Sequence, residues 1–399
     1  CSIVRLPLIR SFVTSSSKRS HLDHILVKIS ADGLVGWGEC AVPPNPFYCE
    51  ETTETCWHML QDFLVPAVLG KDLKSIDELI ASYQNVKRNN FAKAGLEMAC
   101  WDILGKELNQ PVYNLLGGQV HEKLRSYTYI YPPLENEITD VLSVADVFDD
   151  PELTPNRAVH YVEQGFTAVK FDPVMSMSAF DPRQLSLDVL EKAEIVTRNV
   201  RDAVGSKCDL LIGTHGQMTT SSAIRLAKRL EVFDPLWFEE PVPPENKKEM
   251  GRVAQSTSIP IATGERLVTK YEFAELFERQ AASIIQPALG RVGGILEGKK
   301  IAGMAEAHYV ELAPHLYCGP IEAAANIQLG TCSPNFLIQE SIETFGGFHA
   351  EILKDPIEWE NGYIIPPTKP GLGVELNEEV VAKYPYEGPI FIEVEDSPV

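Results

Sequence analysis

The chain has no run of about 18 apolar residues, the least a membrane span needs, and its first residues lack the basic-then-apolar order of a secretory leader. A cytosolic protein is the expectation. Positive charge is scarce: 35 Lys and Arg stand against 56 Asp and Glu, a formal net charge of −21. Such a field repels a phosphate backbone and no local basic patch interrupts it, so neither nucleic acid nor a membrane is an expected partner. The eight cysteines include no CxxC pair, which excludes the common zinc arrangements and points to reduced, structural thiols. No GxGxxG follows any apolar run, which weakens a dinucleotide-binding sheet.

What is present is an ordinary globular composition, long enough at 399 residues for one α/β barrel of roughly 250 residues plus a smaller domain. Residues 22–40 alternate apolar and polar positions around Asp32-Gly33, a tight-turn dipeptide, and predict a β-hairpin. Apolar residues then recur at three- and four-residue spacing over 51–69 and 73–116, with Gly117-Gly118 closing the last helix. After about residue 125 the pattern changes to eight short β-rich runs, each but the last leading into a helical stretch: 126–130, 166–171, 209–213, 236–239, 259–263, 282–286, 309–313 and 336–339. The fold class expected is α/β, parallel βα units closing into a TIM-type barrel behind an N-terminal α+β domain. The boundaries are 1–125 for the first domain, 126–345 for the barrel, and 346–399 for a tail that packs back on the first domain.

In a parallel barrel the side chains that meet substrate stand at the C-terminal ends of the strands. There the sequence places Lys170 and Asp172, His215, Glu239 and Glu240, Glu265 and Arg266, His315, and Glu340. Neighbours on a strand face opposite ways, so only one of Glu239 and Glu240 points inward, and Glu239 is the expected one. Carboxylates ending adjacent strands repel one another unless a cation sits between them, and hard oxygen donors without Cys suit Mg²⁺. A metal that polarises a substrate carboxylate, with Lys170 on one side and His315 on the other, suits removal of the proton α to that carboxylate. His215 would then protonate a leaving hydroxyl on the β-carbon, and the sum is a dehydration.

At these residues the chain resembles the enolase superfamily, in the branch of mandelate racemase and the acid-sugar dehydratases. The segments LWFEEPVPPEN (236–246), IPIATGER (259–266), RVGGILE (291–297) and APHLYCGPI (313–321) carry the likeness, which is nearest to the galactonate-dehydratase type. The resemblance implies a capping domain over a modified (β/α)7β barrel, loops near residues 11–21 and 42–51 closing over substrate, and a symmetric homo-oligomer. It implies that Glu239 and Glu265 bind Mg²⁺, that His315 is the strand-seven base and His215 the acid, that Glu340 lies near the substrate carboxylate, and that Lys170 is the first lysine of a KxK motif.

Two positions depart from that pattern. The strand-three metal-binding Asp is Gly213, and the strand-six Asp that orients the base histidine is Ala288. Asp172 is the candidate third metal acid, on Lys170's face by strand parity; the alternatives are a general base or an acceptor for a substrate hydrogen bond. Without an Asp at 288, Gln286 could offer His315 one hydrogen bond, and either His315 or Lys170 could be the base. Segment 36–66 looks more like the cap of N-acylamino-acid racemases and o-succinylbenzoate synthases, whose two catalytic lysines fall at Asp172 and Ala288 here. The expected activity is a Mg²⁺-dependent, hydro-lyase dehydration of a sugar acid. The alternatives are a racemase, epimerase or cycloisomerase on the same enediolate, and a non-catalytic barrel kept for binding.

Overall fold

The structure, a computed structural model, describes residues 1–14, 17–133, 146–177, 179 and 181–389. The chain opens with a three-stranded antiparallel sheet of β1 (Ser2–Thr14), β2 (Ser17–Ala31) and β3 (Leu34–Cys40), in that order. Asp32 and Gly33, with φ of 49° and 82°, make the left-handed two-residue turn that matches the twist of β2 and β3. The spacing did not reveal β1, whose register with β2 shifts between Pro7 and Phe12. The helical stretch expected over 73–116 is three helices, Ile76–Ser82, Asn90–Glu107 and Val112–Leu115, because residues 83–89 form a turn.

Strand β3 lies directly on the helix Asn90–Glu107, and glycine permits the approach. A Cβ on Gly38 would stand 1.8 Å from the carbonyl oxygen of Gly95, and one on Gly36 would stand 2.2 Å from that of Ala99. Ile25, Val27, Cys40, Leu60, Leu64, Leu79 and Leu96 fill the core between sheet and helices.

The barrel strands are β4 (Leu124–Tyr129), β5 (Ala168–Phe171), β6 (Asp209–Gly213), β7 (Trp237–Glu239), β8 (Ile261–Thr263), β9 (Ile284–Ile285), β10 (Glu311–Leu312) and β11 (Gln339–Ser341). Each pairs in parallel with its sequence neighbour from β4 to β10. β11 pairs with β4, and a parallel bridge from Leu312 to Phe336 joins β10 to the approach of β11. That closure makes a barrel and not an open sheet. Its floor is one inward residue per strand: Tyr127, Ala168, Leu211, Trp237, Ala262, Ile284, Ala313 and Ile338. Trp237 meets Tyr127 edge-on at 5.1 Å, and truncating so large a buried ring costs roughly 3–5 kcal/mol.

Strand side chains alternate, so the next inward positions lie two residues further on: Tyr129, Lys170, Gly213, Glu239, Gly264, Gln286, His315 and Glu340. An apolar floor thus carries a polar layer at the C-terminal mouth, which is why the site stands here.

After β11 the chain forms a two-stranded hairpin, β12 (Trp359–Glu360) and β13 (Tyr363–Ile364), and β13 runs antiparallel to β4. The rest crosses the first sheet, with a Val4–Pro385 bridge, a 3.1 Å bond from the Arg5 N–H to the Tyr384 carbonyl, and a Lys28–Glu378 ion pair. The tail therefore packs on the barrel as well as on the first domain.

Two buried glutamates lock the first domain to the barrel. Glu39, at the end of β3, accepts the N–H groups of Gly319, Ile321 and Glu322 at 2.7–3.1 Å, the open N-terminus of the helix Pro320–Thr331. Burial pushes its carboxyl up, but His24 at 2.5 Å and those N–H groups outweigh it and hold it below the usual value. Glu97 accepts the N–H groups of Ile295 and Leu296, both at 2.8 Å, at the start of the helix Ile295–Ala307; burial outweighs these donors, Trp101 and the charge of Lys300 and pushes it up to about 7. All eight cysteines are free thiols, and among the described residues no helix is long and apolar enough to cross a membrane.

Candidate active site at the barrel mouth

Lys170 is the centre of the polar layer. Its ammonium lies 2.6 Å from Glu239 Oε1, 3.4 Å from Glu340 Oε1 and 4.6 Å from the centre of the Tyr129 ring, and the side chain is 1% exposed. Burial alone would discharge it, but Glu239 and Glu340 raise its pKa well above the ordinary lysine value. Gly213 makes room for it: a Cβ there would stand 2.6 Å from Lys170 Cε and 2.8 Å from its Cγ.

Glu239 points inward, and its second oxygen accepts the Trp237 indole N–H at 3.0 Å and the Gln286 amide at 2.9 Å. Burial and the charges of Glu265 and Glu340 raise its pKa, with Lys170 opposing. Glu240 faces away and takes Arg266 in a two-pronged pair, 2.8 Å to Nε and 2.7 Å to Nη2. Its φ of 32° turns the chain out of β7 at that point.

Glu265 accepts the Tyr48 hydroxyl and faces His315 Nε2 at 3.4 Å. Burial pushes its carboxyl up, yet His315, His215 and Lys170 together hold it well below the usual carboxylate value. The same nitrogen of His315 is 3.9 Å from Glu340 Oε2, and that oxygen accepts the N–H of the next residue, Leu316, at 2.7 Å. Glu340 therefore fixes both the Lys170 ammonium and the backbone that carries His315.

Asp172 lies just past the end of β5, where its Oδ1 accepts the Val174 N–H at 2.9 Å and turns the chain. Its Oδ2 accepts the Gln217 amide at 2.6 Å and stands 3.8 Å from His215 Nδ1. Burial lowers the pKa of His215, but Asp172 and Glu265 more than offset it and the net shift is upward. One oxygen of Asp172 thus closes the turn and the other lies on the His215 side, through a bond that strand parity does not foresee. Gln286 likewise serves Glu239 and not His315.

Sequence reasoning also missed Tyr48, which arrives from the loop after β3. Arg266 and Arg291 lie 5.6 and 6.0 Å from its ring centre, and Arg291 pairs with Glu50 at 3.1 Å. Loop 42–51 thus reaches the mouth. Of the loop expected over 11–21, residues 15 and 16 lie outside the described residues. The aromatic and acidic content of FYCEE was the available signal.

The fit of these residues to Mg²⁺ is poor. A compact Mg²⁺ site needs carboxylate oxygens free for the ion, yet one oxygen of Glu239 holds the ammonium and the other holds two N–H donors. Gly213 supplies no acid and Asp172 turns elsewhere. Among the described residues, no group of three or more His, Cys, Asp and Glu is gathered as a metal ion would need.

Two family models match the chain: the mandelate racemase / muconate lactonizing enzyme N-terminal domain over residues 3–117, and the enolase C-terminal domain-like model over 154–380. A solved structure from Labrenzia alexandrii is 47% identical with a TM-score of 0.86, covering 97% of this chain and 96% of its own; one from Burkholderia is 48% identical with a TM-score of 0.86, covering 99% and 97%. Both carry the provisional name mandelate racemase/muconate lactonizing enzyme. A Salmonella enterica protein provisionally named a dehydratase is 31% identical with a TM-score of 0.80, over 91% of this chain and 93% of its own. This chain belongs to the mandelate racemase and muconate lactonizing enzyme family of the enolase superfamily, with the capped parallel barrel of that family.

Proposed function

We propose that the chain is a lyase that dehydrates a small polyhydroxy (sugar) acid by removing the proton α to the carboxylate and expelling the β-hydroxyl as water. One observation carries this reading: two imidazoles reach the same mouth, each facing its own carboxylate, His215 at Asp172 and His315 at Glu265. A dehydration needs two proton transfers, one from carbon and one to oxygen, and these are two groups suited to make them.

His315 accepts the α-proton as the C–H bond breaks. His215, held toward its protonated form by Asp172, gives a proton to the hydroxyl as the C–O bond breaks. The enol left behind tautomerises to a 2-keto-3-deoxy acid. Glu265 and Glu340 hold His315 and its backbone, so they are positioning residues. The neutral Gln286 amide, whose oxygen has no hydrogen-bond partner among the described residues, faces the same layer. Members of the superfamily generally use Mg²⁺ with a Lys or His base; the poor fit described above means that no role here is drawn through the ion.

The test is a stereochemically complete panel of aldonic and aldaric acids, read for 2-keto-3-deoxy products with and without Mg²⁺. Product from at least one acid is the expected result. Solvent deuterium entering the α-carbon with the hydroxyl retained would replace this reading with racemisation or epimerisation, and His215→Asn would then leave turnover largely intact. No reaction and no exchange with any acid would leave a non-catalytic barrel.

A further inference from the structure

We propose that the Lys170 ammonium is the resident cation of this site, standing where a divalent ion would otherwise bridge the strand-end carboxylates and taking over its role as the electrophile that receives the substrate carboxylate. The role toward substrate rests on the reaction proposed above; the place in the site does not.

Three observations point the same way. Gly213 removes an acid and opens space in one step, and Lys170 fills that space: the Cβ of any larger residue at 213 would meet Lys170 Cε at 2.6 Å. With a side chain at 213 the lysine would have to shift, so glycine there is what lets the ammonium take its present place. Next, the ammonium is enclosed as a bound cation is, by Glu239 at 2.6 Å, Glu340 at 3.4 Å and the face of Tyr129 at 4.6 Å, at 1% exposure. Finally, most of the carboxylate oxygens that would hold a metal are committed to N–H and O–H donors: both of Glu239 to Lys170, Trp237 and Gln286, one of Glu265 to Tyr48, and both of Glu340 to Lys170 and Leu316. A divalent ion would have to displace the ammonium or share Glu239 with it against like-charge repulsion.

An ammonium has three N–H donors on one charge and can meet an anion without giving up its carboxylate neighbours. As the α-proton leaves for His315, the negative charge that moves onto the substrate carboxylate oxygens is stabilised by N–H donation from Lys170. No electron pair leaves the carbon framework except with the departing hydroxyl, and the proton from His215 makes that group water.

The experiment titrates the chelator-treated full chain with MgCl₂ and with MnCl₂ by calorimetry and follows melting in parallel. The wild type is expected to give no saturable heat and an unchanged melting temperature. The double variant Lys170→Met, Gly213→Asp removes the ammonium and restores an acid, and it is expected to bind Mn²⁺ at one site and melt higher in its presence. Saturable wild-type binding overturns the proposal. So does a folded double variant that still binds nothing, since the place would then not be a cation site. The wild-type titration decides the matter whether or not the double variant folds. For any acid the panel identifies, wild-type turnover should survive EDTA, and Lys170→Met alone should cost on the order of 10²–10³ in kcat. Turnover that requires Mg²⁺ would overturn this proposal while the dehydration stands. Failure of every acid, with the titrations as expected, would overturn the dehydration and leave the cation's place intact.

Discussion

The seam between the domains and the mouth of the barrel both bury glutamates, and they answer the charge in different ways. At the seam, Glu39 and Glu97 are met mainly by backbone N–H groups at two helix starts, with one side chain each, His24 and Trp101, beside them. The backbone donors are fixed by the helices and cannot leave. At the mouth, Glu239, Glu265 and Glu340 are met largely by side chains: a lysine, a histidine, a tyrosine, a tryptophan and a glutamine. Such donors can rotate, exchange protons or turn to a ligand. The difference teaches that buried acidity alone does not locate a site; the mobility of what neutralises it does.

The largest effect expected is at the mouth. His315→Asn should lower kcat by roughly 10²–10⁴ with the melting temperature nearly unchanged, because it removes a proton acceptor and no packing core. Turnover within a few-fold of wild type would show that the base lies elsewhere, with Lys170 the next group to test. The matching change at the seam is Glu39→Ala, which strands three N–H donors and His24 and should cost roughly 3 kcal/mol of stability by denaturant unfolding. Its folded fraction should keep wild-type kcat; a loss as large as that of His315→Asn would erase the distinction between the two regions.

Stability against pH sharpens the same contrast. Glu97 is raised from 4.5 to about 7, so the native state holds its proton more tightly than the unfolded chain. Its contribution is fully present below pH 4.5 and is lost as pH rises toward about 7. Glu39 is lowered, so its contribution is present above the unfolded value of 4.5 and is lost as pH falls through the folded one. Glu97→Gln should therefore flatten the decline in unfolding free energy between pH 4.5 and 7 without moving the acid limb; an unaltered slope would assign that decline to another group. At the mouth, His215 is raised, so the proton it must donate is retained to higher pH than a free imidazole allows. Asp172→Asn removes a cause of that shift and should move the alkaline limb of kcat to lower pH. A limb that stays in place while kcat falls evenly would make Asp172 a structural support and not a positioning residue.

Much of this architecture is legible in the sequence. Eight short apolar runs give the barrel strands to within a few residues, since a strand buried on both faces has no other way to be written. Asp32-Gly33 gives its hairpin for the same kind of local reason. Side-chain parity separates Glu239 from Glu240, and Gly213 and Ala288 stand out as departures. Past the strand end parity is not dependable, however: it holds at Gln286 and fails at Asp172. Asp172 is one residue past β5, where the bond to Val174 redirects it, and no spacing rule reports that turn. Lys170 is harder still: parity fixes its Cα, while four flexible methylenes decide which carboxylate its ammonium meets. The seam offered a usable signal, because an acid inside GWGEC or AGLEMAC sits among residues that are otherwise buried.

The loop that joins the two regions gives the smallest effect. Tyr48 comes from the chain that follows β3, the strand ending beside Glu39, and its hydroxyl reaches Glu265 at the mouth. The guanidinium groups of Arg266 and Arg291 stand over its ring, contacts that do not depend on the hydroxyl. Tyr48→Phe keeps those ring contacts and deletes one donor to a carboxylate that also faces His315. The expected result is a rise in KM of roughly five- to tenfold, the equivalent of one hydrogen bond, with kcat within about twofold of wild type. A fall in kcat at constant KM would mean instead that the loop tunes His315 through Glu265. The first domain would then take part in the proton transfer, and the boundary between seam and mouth would have to be redrawn at Tyr48.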